Sequence, residues 1–124
     1  MNIVIHARGF SCTPAIREFT ERRLTRAIYR YKTEISQVNV YLDDVNGADK
    51  GGVDKHVVVR ISLQNCPVAV VESVSSDLYD AIALAAVRSR TMVKRDLRRQ
   101  QQLERKEARK LRTSFLGRSD AEFA

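Results

Sequence analysis

The sequence is poor in the residues that build covalent frameworks and membrane spans. It has only two cysteines, Cys12 and Cys66, two prolines and no tryptophan in 124 residues. Because the cysteines are far apart and have no C-x-x-C spacing, we expect reduced thiols rather than a disulfide framework. The longest apolar run, residues 81–87, is far shorter than the roughly 20 residues of a membrane span. With no secretory pattern at the N-terminus, we expect a soluble, cytoplasmic protein.

Residue types used for catalysis and metal binding are equally scarce. His6 and His56 are the only histidines, and with two isolated cysteines they do not give the ligand spacing of a zinc site. Four aspartates cluster around one predicted loop: Asp43, Asp44, Asp49 and Asp54. They lack the fixed spacing and closing glutamate of a calcium loop, so we expect a solvated acidic loop. No Gly-rich phosphate loop, nucleophile elbow or catalytic triad is present, which predicts no enzyme, no cofactor and no small-molecule substrate.

Hydrophobic periodicity predicts four strands and two helices. β-branched residues predict a first strand over residues 2–8, and Thr13-Pro14 is typical of a capped helix start, for a helix ending near Tyr31. Apolar side chains then alternate with mostly polar ones in residues 38–42 and 57–63, which predicts two strands. A short turn at residues 64–67 leads into a third strand over residues 68–74, which completes an antiparallel meander. A long mobile loop over residues 43–52 is expected between the first two.

A second, long helix is predicted to begin after a cap at Ser76 or Asp77. Small and apolar residues recur along one narrow stripe of it: Leu78, Ile82, Ala85, Ser89, Val93 and Leu97. The fold class is therefore α+β, a β-α-β-β-β-α sandwich with a four-stranded sheet and both helices on one face. We assign residues 1–100 to this domain and residues 101–124 to a basic helical extension whose tail, from Thr113, frays or is disordered.

Charge is segregated along the chain, with a net formal charge of +7. Residues 13–32 hold six basic and two acidic side chains, and residues 78–112 hold eleven basic and four acidic ones. Residues 33–77, in contrast, hold three basic and seven acidic side chains. At 100° per residue, the basic side chains form a flank beside the apolar stripe of each helix. On the first helix these are Arg23, Arg26 and Arg30; on the second they are Arg88, Arg95 and Arg99, with Lys94 and Arg98 extending the charge outward. Side-by-side helices would present a continuous surface to phosphates, so we predict that these eight residues bind RNA.

Two motifs in this context resemble the ribosome hibernation promoting factor and ribosome-associated inhibitor family, in its short form. They are Thr13-Pro14-Ala15-Ile16-Arg17 and Asp77-Leu78-Tyr79-Asp80-Ala81-Ile82, which open the two helices. The resemblance covers about residues 1–100. It implies that basic side chains of both helices contact small-subunit ribosomal RNA where mRNA and tRNA would sit, and that the protein silences translation without catalysis. The family usually has another basic residue where Thr91 stands.

Several alternatives stay open at the level of sequence. Long-form members append a dimerisation domain and some inhibitor-type members have an acidic tail, whereas the extension here is basic, so both promotion of ribosome dimers and blockage of single ribosomes are compatible with it. A generic double-stranded-RNA-binding module would also suit strands packed under basic helices. A protein-interaction module that uses the acidic sheet region is the third class. Tyr29 is the better candidate for stacking on a base, whereas Tyr31 lies on the apolar stripe and is expected in the core.

Overall fold

The computed structural model describes residues 1–44 and 54–123, with side chains described as far as residue 113. The elements follow the predicted order: β1 (Asn2–Arg8), α1 (Pro14–Ile28), a 3-10 turn (Tyr29–Tyr31), β2 (Ile35–Asp44), β3 (Lys55–Leu63), β4 (Ala69–Ser75) and α2 (Leu78–Phe123). The predicted α+β class and β-α-β-β-β-α order are confirmed. The predicted loop over residues 43–52 lies mostly outside the described residues.

The sheet has the strand order β1-β2-β3-β4. β1 pairs parallel to β2, which makes β1-α1-β2 a crossover unit, whereas β2-β3-β4 form the predicted antiparallel meander. Inward-facing residues alternate along β3, where Val57, Val59 and Ile61 are buried. This alternation gives the sheet one buried face and one open face, as period-2 patterning requires.

Both helices contribute to the core on the buried face of the sheet. α1 contributes Leu24 and Ile28, and α2 lies over β3 and β4 and against α1. Small residues of α2, including Ala81, Ala85 and Ser89, are fully buried, and the Ser73 hydroxyl of β4 donates to the Ala81 carbonyl. Buried polar groups are tolerated when they are paired in this way.

One glycine fixes how β1 ends. Gly9 has φ +84°, and a Cβ there would lie 2.5 Å from the backbone oxygen of Asp44 at the end of β2. Only glycine adopts such a conformation at little cost and without this clash. The close approach holds the ends of β1 and β2 together.

α2 continues without interruption past residue 100, and its backbone is helical to Phe123. The helix thus runs past Thr113, where the sequence predicts fraying or disorder. The division of the chain at residue 100 stays a prediction. Within residues 1–44 and 54–123, no helix is both long enough and apolar enough to cross a membrane.

Candidate nucleic-acid interface

The start of α1 sets which residues face α2. The Thr13 hydroxyl accepts a hydrogen bond from the Ile16 N–H at 3.3 Å, and Pro14 occupies the first turn, as predicted. A capping hydroxyl satisfies a donor that the helix itself leaves free. With Leu24 and Ile28 buried against the sheet, Arg23 lies on the side of α1 that faces α2.

A groove runs between the two helices and is lined with cations from both. Its lining residues are Arg23, Arg26 and Ala27 of α1 with Ala86, Val87, Arg90, Thr91 and Lys94 of α2. We call this the interhelix groove. Its apolar lining residues are small or belong to the helix surfaces. The groove brings four basic side chains to one site.

The cations of the interhelix groove form no ion pair with any residue whose side chain the structure describes. Among residues 1–44 and 54–113, the only ion pairs are those of Lys55 with Asp44 and Asp54, on another part of the molecule. No acidic residue lines the groove. Like charges gathered without counter-charges repel one another and create a potential that attracts anions. The groove therefore has the electrostatic character of a site for phosphate groups.

Arg23 is held in the groove by aromatic contacts. Its guanidinium carbon lies 6.0 Å from the centroid of the Phe19 ring, and Phe19 packs edge-on against Tyr79 of α2, with centroids 4.8 Å apart. The Arg23 Nε is buried and has no hydrogen-bond partner in the described part of the chain. Unsatisfied donors of this kind are uncommon in folded proteins and are costly to maintain.

The eight predicted RNA-binding residues divide into two groups in the structure. Arg23, Arg26 and Lys94 line the interhelix groove, and Arg98 follows Lys94 by one turn on the same side. Arg30 is exposed in the 3-10 turn that follows α1.

The remaining three residues, Arg88, Arg95 and Arg99, lie on the opposite flank of α2. Arg88, for example, is about 160° around the helix axis from Arg90. Arg88 donates to the backbone carbonyl of Glu72 in β4 at 2.6 Å, and Arg95 contacts the Met92 sulfur at 3.3 Å. The structure therefore does not bring this flank to the groove. The continuous surface predicted between Arg23, Arg26 and this flank does not form, because α1 faces the other side of α2. Whether these three side chains bind RNA stays a prediction.

The sequence analysis missed Arg90, which lines the interhelix groove beside Lys94. The two are one turn apart, so they share a helix face. The sequence-based prediction groups Lys94 with the flank of Arg88, Arg95 and Arg99, and it therefore leaves Arg90 out. A β-α-β crossover is nearly always right-handed. Applied to β1-α1-β2, this rule indicates on which side of α2 the helix α1 lies.

The tyrosine predictions are confirmed in placement. Tyr31 is half-buried and packs against the core, whereas Tyr29 is 54% exposed. Lys32 Nζ donates to the Tyr29 hydroxyl at 2.9 Å, and this hydrogen bond, together with the positive charge, lowers the pKa of Tyr29. Tyr29 does not line the interhelix groove; it lines a neighbouring depression with Arg22 and Arg26 of α1.

The predicted solvated acidic loop is wrong for two of its four aspartates. Asp44 and Asp54 are buried, and both accept hydrogen bonds from Lys55 Nζ. For Asp44 the missed signal was its alternation with apolar strand residues, since it follows Val40 and Leu42 on the inward face of β2. Asp43 is half-buried, and Asp49 lies outside the described residues. No group of three metal-ligating side chains forms within the residues that are described.

Comparison with known proteins places this arrangement in a family. The model of the family described as "Sigma 54 modulation protein / S30EA ribosomal protein" matches residues 3–101. A solved structure of a ribosomal subunit interface protein from Coxiella burnetii is 25% identical, with a TM-score of 0.63, over 76% of this chain and 96% of that chain. The N-terminal domain of Protein Y from Thermus thermophilus is 32% identical, with a TM-score of 0.62, over 77% and 98%. No curated protein matches the chain. The chain belongs to the Sigma 54 modulation protein / S30EA ribosomal protein family, a family of ribosome-associated proteins that are not enzymes, as the sequence and its resemblance predict.

Proposed function

We propose that this protein is a hibernation factor: it binds ribosomal RNA of the small subunit in the decoding and tRNA region and represses translation. The observation that carries the proposal is the interhelix groove, where Arg23, Arg26, Arg90 and Lys94 meet and no acidic residue of the described chain is part of the lining. The similarity to a ribosomal subunit interface protein and to a Protein Y domain supports the ribosome as the partner. A cytoplasmic location follows from that partner.

The chemistry of the groove suits the phosphate backbone of RNA rather than its bases. Three of its four cations are arginines, whose planar guanidinium groups form paired hydrogen bonds with phosphate oxygens. Phosphate contacts fix position and orientation but carry no base sequence. Selectivity for one RNA region then comes from the spacing of phosphates in a folded RNA, which matches a groove between two rigid helices.

Repression follows from occupancy of the site. The groove is built on two helices that share one core with the sheet, so its cations are presented by a rigid support. A domain bound at the decoding region excludes mRNA and tRNA by volume. It leaves when a competing ligand or recycling factor displaces it, and because each neutralised phosphate releases counterions, affinity falls as salt rises.

The test compares two pairs of substitutions on the two flanks of α2. Arg90→Gln with Lys94→Gln removes two groove cations, whereas Arg95→Gln with Arg99→Gln removes two cations from the opposite flank and leaves the same net charge. We expect the groove pair to abolish most co-sedimentation with small subunits at low salt and the flank pair to weaken it less. Each removed phosphate contact also lowers the salt dependence of log Kd by about one unit.

Four other outcomes would change or extend the assignment. Loss confined to the Arg95/Arg99 pair would move the binding surface to the opposite flank of α2. Wild-type protein that stays at the top of the gradient at low salt contradicts the ribosomal function, and equal affinity for free duplex RNA favours a generic RNA-binding module. A shift of ribosomes toward dimers would add a dimer-promoting role.

A further inference from the structure

The described side chains at the end of α2 form a segment that lies on the surface along its whole length. We call residues 101–113 the α2 extension. All thirteen of these residues are exposed, and at 1.5 Å per residue they form about 20 Å of helix. Leu111 is 72% exposed and Leu103 is 48% exposed. Packing on the domain therefore does not explain why this segment is present.

Charge on the α2 extension is divided between two faces of the helix. It holds five cations and two acids, and at 100° per residue the cations lie within an arc of about 160°. The cations are Arg105, Lys106, Arg109, Lys110 and Arg112. Glu104 and Glu107 lie on the opposite face, together with Leu103 and Leu111. Three of the cations, Lys106, Arg109 and Lys110, line one shallow depression with Thr113.

The basic face of the α2 extension continues a row that begins in the interhelix groove. Lys94, Arg98, Arg105, Arg109 and Arg112 follow at intervals of four, seven, four and three residues, which keep them on one side of a helix. None of the cations of the extension forms an ion pair with the described residues. The row is thus open to an anionic partner along its length.

We propose that the α2 extension is a second RNA-binding surface, whose cations bind backbone phosphates outside the set bound by the interhelix groove. The proposal rests on the proposed function, since it extends the same RNA contact. A membrane surface fits less well, because a membrane-bound helix buries a wide apolar face opposite its cations. Here that face holds both glutamates, which insertion would bury.

The experiment removes two cations from the α2 extension of the full chain, by Arg105→Gln with Arg109→Gln. The matched control, Arg8→Gln with Arg60→Gln, removes two cations from the open face of the sheet and leaves the same net charge. The Kd for small ribosomal subunits is measured by fluorescence anisotropy of labelled protein between about 50 and 200 mM salt. Thermal unfolding checks that each variant is folded.

We expect the extension pair to raise Kd by roughly tenfold or more at about 0.1 M salt and to lower the slope of log Kd against log salt by about 1.4 to 1.8. The control pair should keep the wild-type slope. An extension pair that binds with the wild-type Kd and slope overturns this inference and leaves the proposed function intact. Wild-type protein that binds no subunits overturns the proposed function, and this inference with it.

A second measurement identifies the molecule that the extension contacts. Gln102 lies on the basic face, within one turn of Arg105 and Lys106, so a benzophenone amino acid is placed there and irradiated in the complex with small subunits. Cross-links to ribosomal RNA are expected. Cross-links confined to a ribosomal protein would overturn the assignment of RNA as the partner of this surface.

Discussion

Lys55 is a buried cation that two carboxylates share at the base of the β2–β3 connection. Its Nζ lies 2.9 Å from Asp44 Oδ1 and 3.1 Å from Asp54 Oδ2. The hydrogen bond that Lys55 donates to Asp44 is the main cause that raises the pKa of Lys55, and burial opposes it. Buried charges are stable only when they are paired, so the cluster ties the end of β2 to the start of β3.

Removing the cation should cost far more than removing one of its partners. Lys55→Met leaves Asp44 and Asp54 buried side by side without a counter-charge, whereas Asp54→Asn leaves a one-to-one pair. We expect a large drop in the urea midpoint for Lys55→Met and a small drop for Asp54→Asn, measured by circular dichroism. Equal drops would contradict a shared cation.

The pH dependence of stability follows from the same contact. Because folding raises the pKa of Lys55 above its ordinary 10.5, the stabilisation from Lys55 is complete below that value and is lost as the pH rises through the raised folded pKa. The urea midpoint of the wild type should therefore fall more steeply above about pH 10.5 than that of Lys55→Met. Parallel curves for the two proteins would argue against this contribution.

At the scale of elements, β4 is an edge strand, and one side chain of α2 protects it. The sheet order leaves β4 without a second strand neighbour in the described chain, and Val70 and Val74 are exposed on its open face. Exposed edges invite pairing with another chain, and charged groups at the edge oppose it. The bond from Arg88 to the Glu72 carbonyl occupies one backbone acceptor of this strand.

We expect Arg88→Met to lower stability by about 1 kcal/mol, through the lost hydrogen bond, and to increase self-association as protein concentration rises. Arg95→Met is the control, because Arg95 lies on the same flank of α2 and makes no bond to the sheet. Urea unfolding and light scattering give the two readouts. The edge-protecting role is wrong if the two variants behave alike.

The two flanks of α2 also show where sequence-based prediction stops. A helical wheel places Arg90 and Lys94 on one flank and Arg88, Arg95 and Arg99 on the other, because side-chain direction depends only on the 100° step. Which flank meets α1 depends on how the helices cross the sheet. The helical wheel therefore identifies α2 as basic, but the predicted contacts Arg88, Arg95 and Arg99 lie on the flank that faces away from α1.

For the whole molecule, the predicted boundary at residue 100 has a direct test. Since the side chains of residues 101–113 are all exposed, they add no burial to the core, and core burial is the main source of stability. A chain that ends at Gln100 should unfold at the same temperature as the full chain, within about one degree. A clearly lower unfolding temperature would mean that the extension belongs to the folded unit.

The sequence by itself determined the order and approximate bounds of the strands and helices, the cap at Thr13 and the buried stripe of α2. These follow from local rules, since strand alternation, helix periodicity and capping depend on residues within a few positions of one another. The tertiary structure alone decided that Asp44 and Asp54 are paired with Lys55 and that Arg90 joins Arg23 in the interhelix groove. The Asp44–Lys55 pair and the interhelix groove join residues on different elements, and their geometry is set by how the elements pack rather than by any pattern within one of them.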